Sequence, residues 1–167
     1  MDRVHTFALL LDVLRTGLYP ALLCLAIGTD LARRIIPNLL VVALIAGFAL
    51  VAVLTPLTDV SLRLMAAGAV TAAGFVLFSH DLIGAGDAKL AGALALWLDP
   101  AQVPAFVIIC SLIGALLTLA VTLKTHGRLL PRARALVART GETIPYGVAL
   151  AGAGLLLHPY SSVMLAS

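Results

Sequence analysis

Residues 100–123 read PAQVPAFVIICSLIGALLTLAVTL, 24 positions without one charged side chain. A helix rising about 1.5 Å per residue needs roughly 17–25 such positions to cross a hydrocarbon core about 30 Å thick. Two further uncharged stretches, Ile35–Thr58 and Thr143–Ser167, run for 24 and 25 residues. Of all 167 residues, 62% are hydrophobic and 11% charged, where a soluble domain carries about 25% charged residues. So few polar groups cannot cover a globular surface, and the bilayer is the expected solvent. No room remains for a soluble domain, so residues 1–167 are read as one integral-membrane unit.

Pro37, Pro56, the Gly84–Gly86 cluster, Pro100 and Pro145 divide the chain into six expected helices. Their ranges are 16–34, 38–54, 62–79, 86–98, 102–124 and 143–158. The expected fold is therefore all-α and polytopic, with six transmembrane helices. Residues 1–15 read as an interfacial helix in which Asp12 and Arg15 pair at i, i+3. They do not read as a cleavable signal peptide, because the apolar run Phe7–Leu11 is short and soon broken by Asp12. Lys and Arg accumulate on the cytoplasmic side of membrane proteins. Under simple alternation eight of the eleven basic residues fall on one side: Arg33, Arg34, Lys89, Lys124, Arg128, Arg132, Arg134 and Arg139. That side is expected to be the cytoplasm, with both termini outside. A net charge of +3 is too small to argue for nucleic acid as a partner. Cys24 and Cys110 sit far apart in apolar segments, form no metal-ligand spacing, and read as small apolar fillers.

Chemistry has to come from the carboxylates. A charge at membrane depth costs several kcal/mol, so an Asp bordering an apolar helix is a functional candidate. Asp2, Asp59, Asp99 and Glu142 fall in terminal or loop positions and call for no special role. Asp30, Asp81 and Asp87 remain. Asp30 closes the apolar run Leu18–Thr29 one turn before Arg33 and Arg34; the plain alternative to chemistry is an ion pair with either arginine. Asp87 stands in Gly84-Ala85-Gly86-Asp87-Ala88-Lys89. Glycines there permit tight turns and close helix approach, and the plain alternative makes Asp87 the N-cap of the fourth helix. Together the two carboxylates are expected at one depth, on one side, at the ends of two helices. Carboxylates sharing a site do not both ionise easily, so one keeps a proton. The ionised partner can then activate water while the protonated one polarises a carbonyl. Asp81 is a rival to Asp30 in such a pair. The four histidines are scattered, so no zinc site is implied.

Three elements, in order, resemble the type IV prepilin peptidases. Asp30-Leu-Ala-Arg-Arg-Ile-Ile-Pro37-Asn38 is similar to their Asp-to-Ile-Pro-Asn element, Gly84 to Lys89 to their GxGDxK element, and Ile144-Pro145-Tyr146-Gly147 to a motif before their last helix. The resemblance implies a GxGD aspartyl endopeptidase with Asp30 and Asp87 as the catalytic pair. Gly84, Gly86, Lys89 and Asn38 are its supporting residues, and no metal or organic cofactor is required. It implies cleavage after a glycine, at the cytoplasmic membrane face, where a basic leader joins a hydrophobic helix. The expected partners are a prepilin or pseudopilin and the lipid bilayer, and the expected location is a bacterial inner membrane. No Cys-rich methyltransferase insertion is seen, so the chain looks more like the peptidase-only enzymes of tight-adherence (Flp) pili. Lys89 either marks the membrane boundary or holds Asp87 or Asp81, Asn38 is read first as the N-cap of the second helix, and Tyr146 as an interfacial anchor. From other classes, paired aspartates also suit a small ion-coupled transporter or an inactive scaffold in a pilus machine.

Overall fold

The computed structural model describes residues 12–55, 57, 59–126 and 145–165. A π-helical turn, Leu14–Leu18, runs directly into α1, Tyr19–Arg33. There follow α2 (Asn38–Leu54), α3 (Val60–Ser79), α4 (Ala85–Trp97), a 3₁₀ turn (Pro100–Gln102) and α5 (Val103–His126). After the undescribed stretch come α6 (Tyr146–Leu157), a second 3₁₀ turn (His158–Tyr160) and the short α7 (Ser162–Leu165). All described elements are helical. The expected interfacial helix over 1–15 lies almost wholly outside the described residues, as does most of the basic loop on which the orientation argument leans.

Helix boundaries follow from local chemistry. Pro37 precedes α2 with extended backbone (φ −62°, ψ 134°), and Pro145 likewise stands just ahead of α6, positions where a missing N–H costs nothing. Arg34 ends α1 in the left-handed region (φ 53°), its N–H donating to the Asp30 carbonyl at 2.9 Å. Asp59 before α3 and Asp81 after it also take positive φ, a conformation Asp adopts more readily than most residues.

One of the shorter principal helices, α4, sits in the middle. Residues 90–97 of α4 are buried without interruption, and a helix apolar on every side has no face to give to solvent. It packs against α3, α2 and α6, while α1 lies on α6 and α2, and α5 lies on α6. Contact between α3 and α4 is close because glycines remove the intervening Cβ. One added at Gly74 would stand 3.0 Å from Ala88, and one added at Gly92 would collide with the Thr71 hydroxyl. That hydroxyl is already committed to the Ala67 carbonyl at 2.7 Å. Gly92→Ala should therefore destabilise the protein by about 1–3 kcal/mol, the usual cost of overpacking, and Thr71→Ala should recover most of it. Unfolding midpoints of the two single variants and the double variant check this; a wild-type midpoint for Gly92→Ala alone would refute it.

α4 fixes two ends of the molecule, about 15 Å apart over the ten residues from Asp87 to Trp97. At the Trp97 end, the Tyr19 ring lies 5.0 Å from Trp97 and 4.3 Å from His158, and the indole N–H donates to the Leu44 carbonyl at 3.0 Å. Just beyond stands a buried arginine. Arg63, 1% exposed, donates to the carbonyls of Leu96 (3.3 Å) and Leu98 (2.8 Å) and pairs with Asp99. Asp99 thus departs from the sequence expectation of a loop residue without a role. Among the described residues, two helices, Val60–Ser79 (α3) and Pro100–Leu123 reaching through α5, are by length and composition apolar enough to cross a membrane, and both are mostly exposed.

Candidate active site

The other end of α4 is where chemistry-bearing groups meet. Asp30 stands in the last turn of α1 and is 5% exposed. Its Oδ2 accepts a hydrogen bond from the Val148 N–H at 3.1 Å. The carboxylate therefore sits at the N-terminus of α6, where free backbone N–H groups and the helix dipole favour negative charge. Arg34 is close enough for its charge to act on Asp30. Among the described residues, however, no ion pair joins Asp30 to Arg33 or Arg34, so the plain reading of Asp30 as an arginine partner gives way to a seat on a distant helix.

Gly147 makes that seat possible. A Cβ there would stand 2.7 Å from Asp30 Oδ2 and 3.0 Å from Ile36 Cδ1. Ile36 wedges between two glycines, since a Cβ on Gly86 would meet it at 3.4 Å. The segment after α1, the start of α4 and the start of α6 thus converge on one side chain. Gly147→Ala should push the Asp30 carboxylate off its seat and cut activity at least about tenfold, the scale on which a small misplacement is felt in catalysis. Cleavage rates of this variant at wild-type thermal stability are the check, and unchanged rates would show that the seat is dispensable.

Asp87 is the third residue of α4, not its N-cap: Gly84 holds that position, and its N–H donates to Asp87 Oδ2 at 3.1 Å. This is the return half of a capping box. Gly84 has ordinary backbone angles (φ −75°, ψ 151°), so it is needed for space, not for a special turn. A Cβ there would come within 3.0 Å of the Asp87 carboxylate. Ile36 links the two carboxylates' surroundings, standing against Gly147 beside Asp30 and against Gly86 beside Asp87, so both lie at one end of the helix packing. Asp81, the rival, is exposed in the turn after α3.

The remaining singled-out residues fall around this pair. Asn38 is the first residue of α2, with Pro37 ahead of it and no side-chain cap. Instead of capping, its Oδ1 accepts from Lys89 Nζ at 3.4 Å. Lys89 is exposed and, among the described residues, forms no ion pair with Asp87 or Asp81. Tyr146 lines a cavity and packs near Gly114 of α5, a different setting from the interfacial anchor expected of it. Cys110 fits its reading as a small apolar filler, packed against the core cluster. It is half-buried on the wall of the same cavity, within reach of the Asp87 charge. No group of three or more potential metal ligands occurs among the described residues.

Residues 17–119, more than half of the chain, match the type IV leader peptidase family. The chain belongs to that family. The type IV leader peptidases are membrane-associated, and membership supports a peptidase of prepilin-type substrates here. The matched span holds Asp30, Asn38, Gly84, Gly86, Asp87 and Lys89, whereas Gly147 lies beyond it. Neither a curated protein nor a solved structure matches this leader peptidase chain. Gly147 and Ile36 were the site residues that sequence reasoning passed over. The signal for both was present, in the Ile-Pro-Asn and Pro-Tyr-Gly elements, whose neighbouring residues drew attention first.

Proposed function

We propose that the chain is an aspartyl endopeptidase that removes the basic leader from prepilins or pseudopilins, with Asp30 and Asp87 as the catalytic pair. The observation that carries this reading is the placement of two carboxylates from separate helices, Asp30 on α1 and Asp87 on α4, at one end of the helix packing, where Ile36 stands against both Gly147 and Gly86. Each is held by backbone N–H donors, Val148 for Asp30 and Gly84 for Asp87. Neither is consumed by an ion pair among the described residues. Two such groups divide acid and base roles between them: one carboxylate takes the proton of an attacking water, and the other, protonated, hydrogen-bonds the scissile carbonyl oxygen. Collapse of the tetrahedral intermediate returns a proton to the departing amine.

The substrate is a helix-anchored precursor cut after the glycine at the leader junction, on the cytoplasmic face of a bacterial inner membrane. Exposed apolar side chains on the outer helices support a lipid setting; Val53, Met65 and Leu116 are 83%, 69% and 65% exposed. Arg33, Arg34 and Lys89 are exposed at the dyad end, which suits the cytoplasmic side. The closeness of the chain to peptidase-only Flp enzymes is part of the same proposal; it is supported by the sequence, whose two cysteines stand apart in apolar segments with no Cys-rich insertion between them. The test is incubation of the purified protein in lipid with a prepilin-like precursor, followed by mass determination of both fragments. A single cut directly after the leader glycine is the expected result, and an intact precursor at long times would remove the assignment.

A further inference from the structure

The first turn of α6 presents two faces with different neighbours. Gly147 and Val148 carry Asp30: a Cβ on Gly147 would stand 2.7 Å from its Oδ2, and the Val148 N–H donates to that same oxygen at 3.1 Å. Tyr146, with Leu150 one turn further on, lines a cavity of about 610 Å³ whose wall also holds Asp87. Residues at i and i+4 share a helix face, so Tyr146 and Leu150 mark the side that α6 gives to this cavity. The Tyr146 ring is half-buried and lies against α5, where a Cβ on Gly114 would meet it at 3.5 Å. One turn of backbone thus touches the surroundings of both carboxylates, and Tyr146 is its side chain on the Asp87 side.

A peptide bond cut beside Asp87 has to be unwound there, and unwinding strips its N–H and C=O of their helical partners. The cavity wall offers few donors in return. Ser111, Thr118 and Thr122 lie on it, yet each hydroxyl donates at 2.7 Å to a carbonyl of its own helix, those of Val107, Gly114 and Thr118 respectively. Their protons are spent. The Tyr146 hydroxyl forms no hydrogen bond among the described residues, and a phenol is a good donor where a thiol such as that of Cys110 is a weak one. Of the four hydroxyls on the wall, Tyr146 holds the one whose proton is uncommitted.

We propose that Tyr146 is a third catalytic residue, its hydroxyl donating a hydrogen bond to the carbonyl oxygen of the bond being cut. The inference rests on the aspartyl-protease reading and adds a residue to it. A carbonyl oxygen has two lone pairs; the protonated carboxyl takes one and the phenol the other. As water adds, negative charge gathers on that oxygen, and a donor already in place stabilises it without reorganisation. The phenol keeps its proton throughout, so proton transfer stays with Asp30 and Asp87. Because Tyr146 precedes Gly147 in the chain, the donor and the seat of Asp30 are fixed by the same turn.

Tyr146→Phe isolates the hydroxyl, because the ring and its contact with Gly114 remain. In the lipid-embedded protein, kcat for leader cleavage should fall about 10–100-fold, somewhat less than the usual loss of a lone oxyanion donor because the carboxyl shares the load. KM should change less than about threefold, the pattern of an interaction made in the transition state, and the unfolding midpoint should stay near wild type. Both limbs of the pH–rate profile should persist, since they belong to the carboxylates. Tyr160→Phe, exposed after the end of α6, should leave both constants unchanged. A wild-type kcat in Tyr146→Phe, or a raised KM alone, would overturn the assignment while the protease reading stands. Loss of one limb of the profile would overturn it too, because Tyr146 would then be exchanging a proton. A wild-type protein that leaves the precursor intact would sink the protease reading itself, and the role of Tyr146 with it.

Discussion

Asp30→Asn and Asp87→Asn should each reduce leader cleavage by about 10²–10⁴-fold, the contribution of a positioned acid or base. Structure is not what these variants lose. Asparagine keeps the shape of aspartate and an acceptor oxygen, so the bonds from Val148 to residue 30 and from Gly84 to residue 87 can both persist. What disappears is the proton that the pair exchanges. Because the two act as a unit, the double variant should be little worse than either single one. Rate measurements on lipid-embedded protein, beside unfolding midpoints near wild type, separate lost chemistry from lost folding. Multiplicative losses in the double variant would mean that the carboxylates work independently, and wild-type cleavage by either single variant would remove that residue from the mechanism.

The helices were readable because lipid-facing helices advertise themselves. Charge is absent for whole turns, and proline or glycine stands at the breaks, so the expected start and end of α2 coincide with those observed (Asn38–Leu54), and α4 begins one residue early. Asp30 and Asp87 were conspicuous for the same reason, as charges at the edges of apolar runs. Local sequence could not show what holds them. The bond from Val148 to Asp30 spans 118 positions, and nothing near either residue encodes the other. Gly147 was noticed only as the end of the Ile144-Pro145-Tyr146-Gly147 element, and its role emerges where a carboxylate stands against its missing side chain. Asn38 after Pro37 resembled an ordinary cap, and only the arrival of Lys89 from α4 reassigns it. Asp99 read as a loop residue calling for no special role, because its partner Arg63 stands 36 positions away.

Arg63 carries the largest expected stability effect. Its guanidinium closes the end of α4 opposite the dyad, donating to the Leu96 and Leu98 carbonyls, to Ser162 Oγ at 2.6 Å and to Asp99. Asp99 in turn accepts from Ser162 N–H (2.9 Å) and Oγ (2.6 Å), so α3, α4 and α7 meet on one ion pair. Late helical carbonyls have no partner within their own helix, and here a buried cation supplies it. Arg63→Met should cost about 3–5 kcal/mol, the penalty for breaking a buried pair and leaving one charge unmatched. Asp99→Leu alone should also destabilise, but the double variant should recover part of the loss, because no unmatched charge then remains. Unfolding midpoints in detergent give the cycle directly. Strict additivity would show that Arg63 and Asp99 do not act together. Where Arg63→Met still folds, α4 loses the fixed end that sets its position along the bundle. Asp87 rides on the same rigid helix about 15 Å away, and cleavage should fall as well, in kcat more than in KM. Arg63→Lys, which retains the cation and loses the fork of donors, should fall between the two.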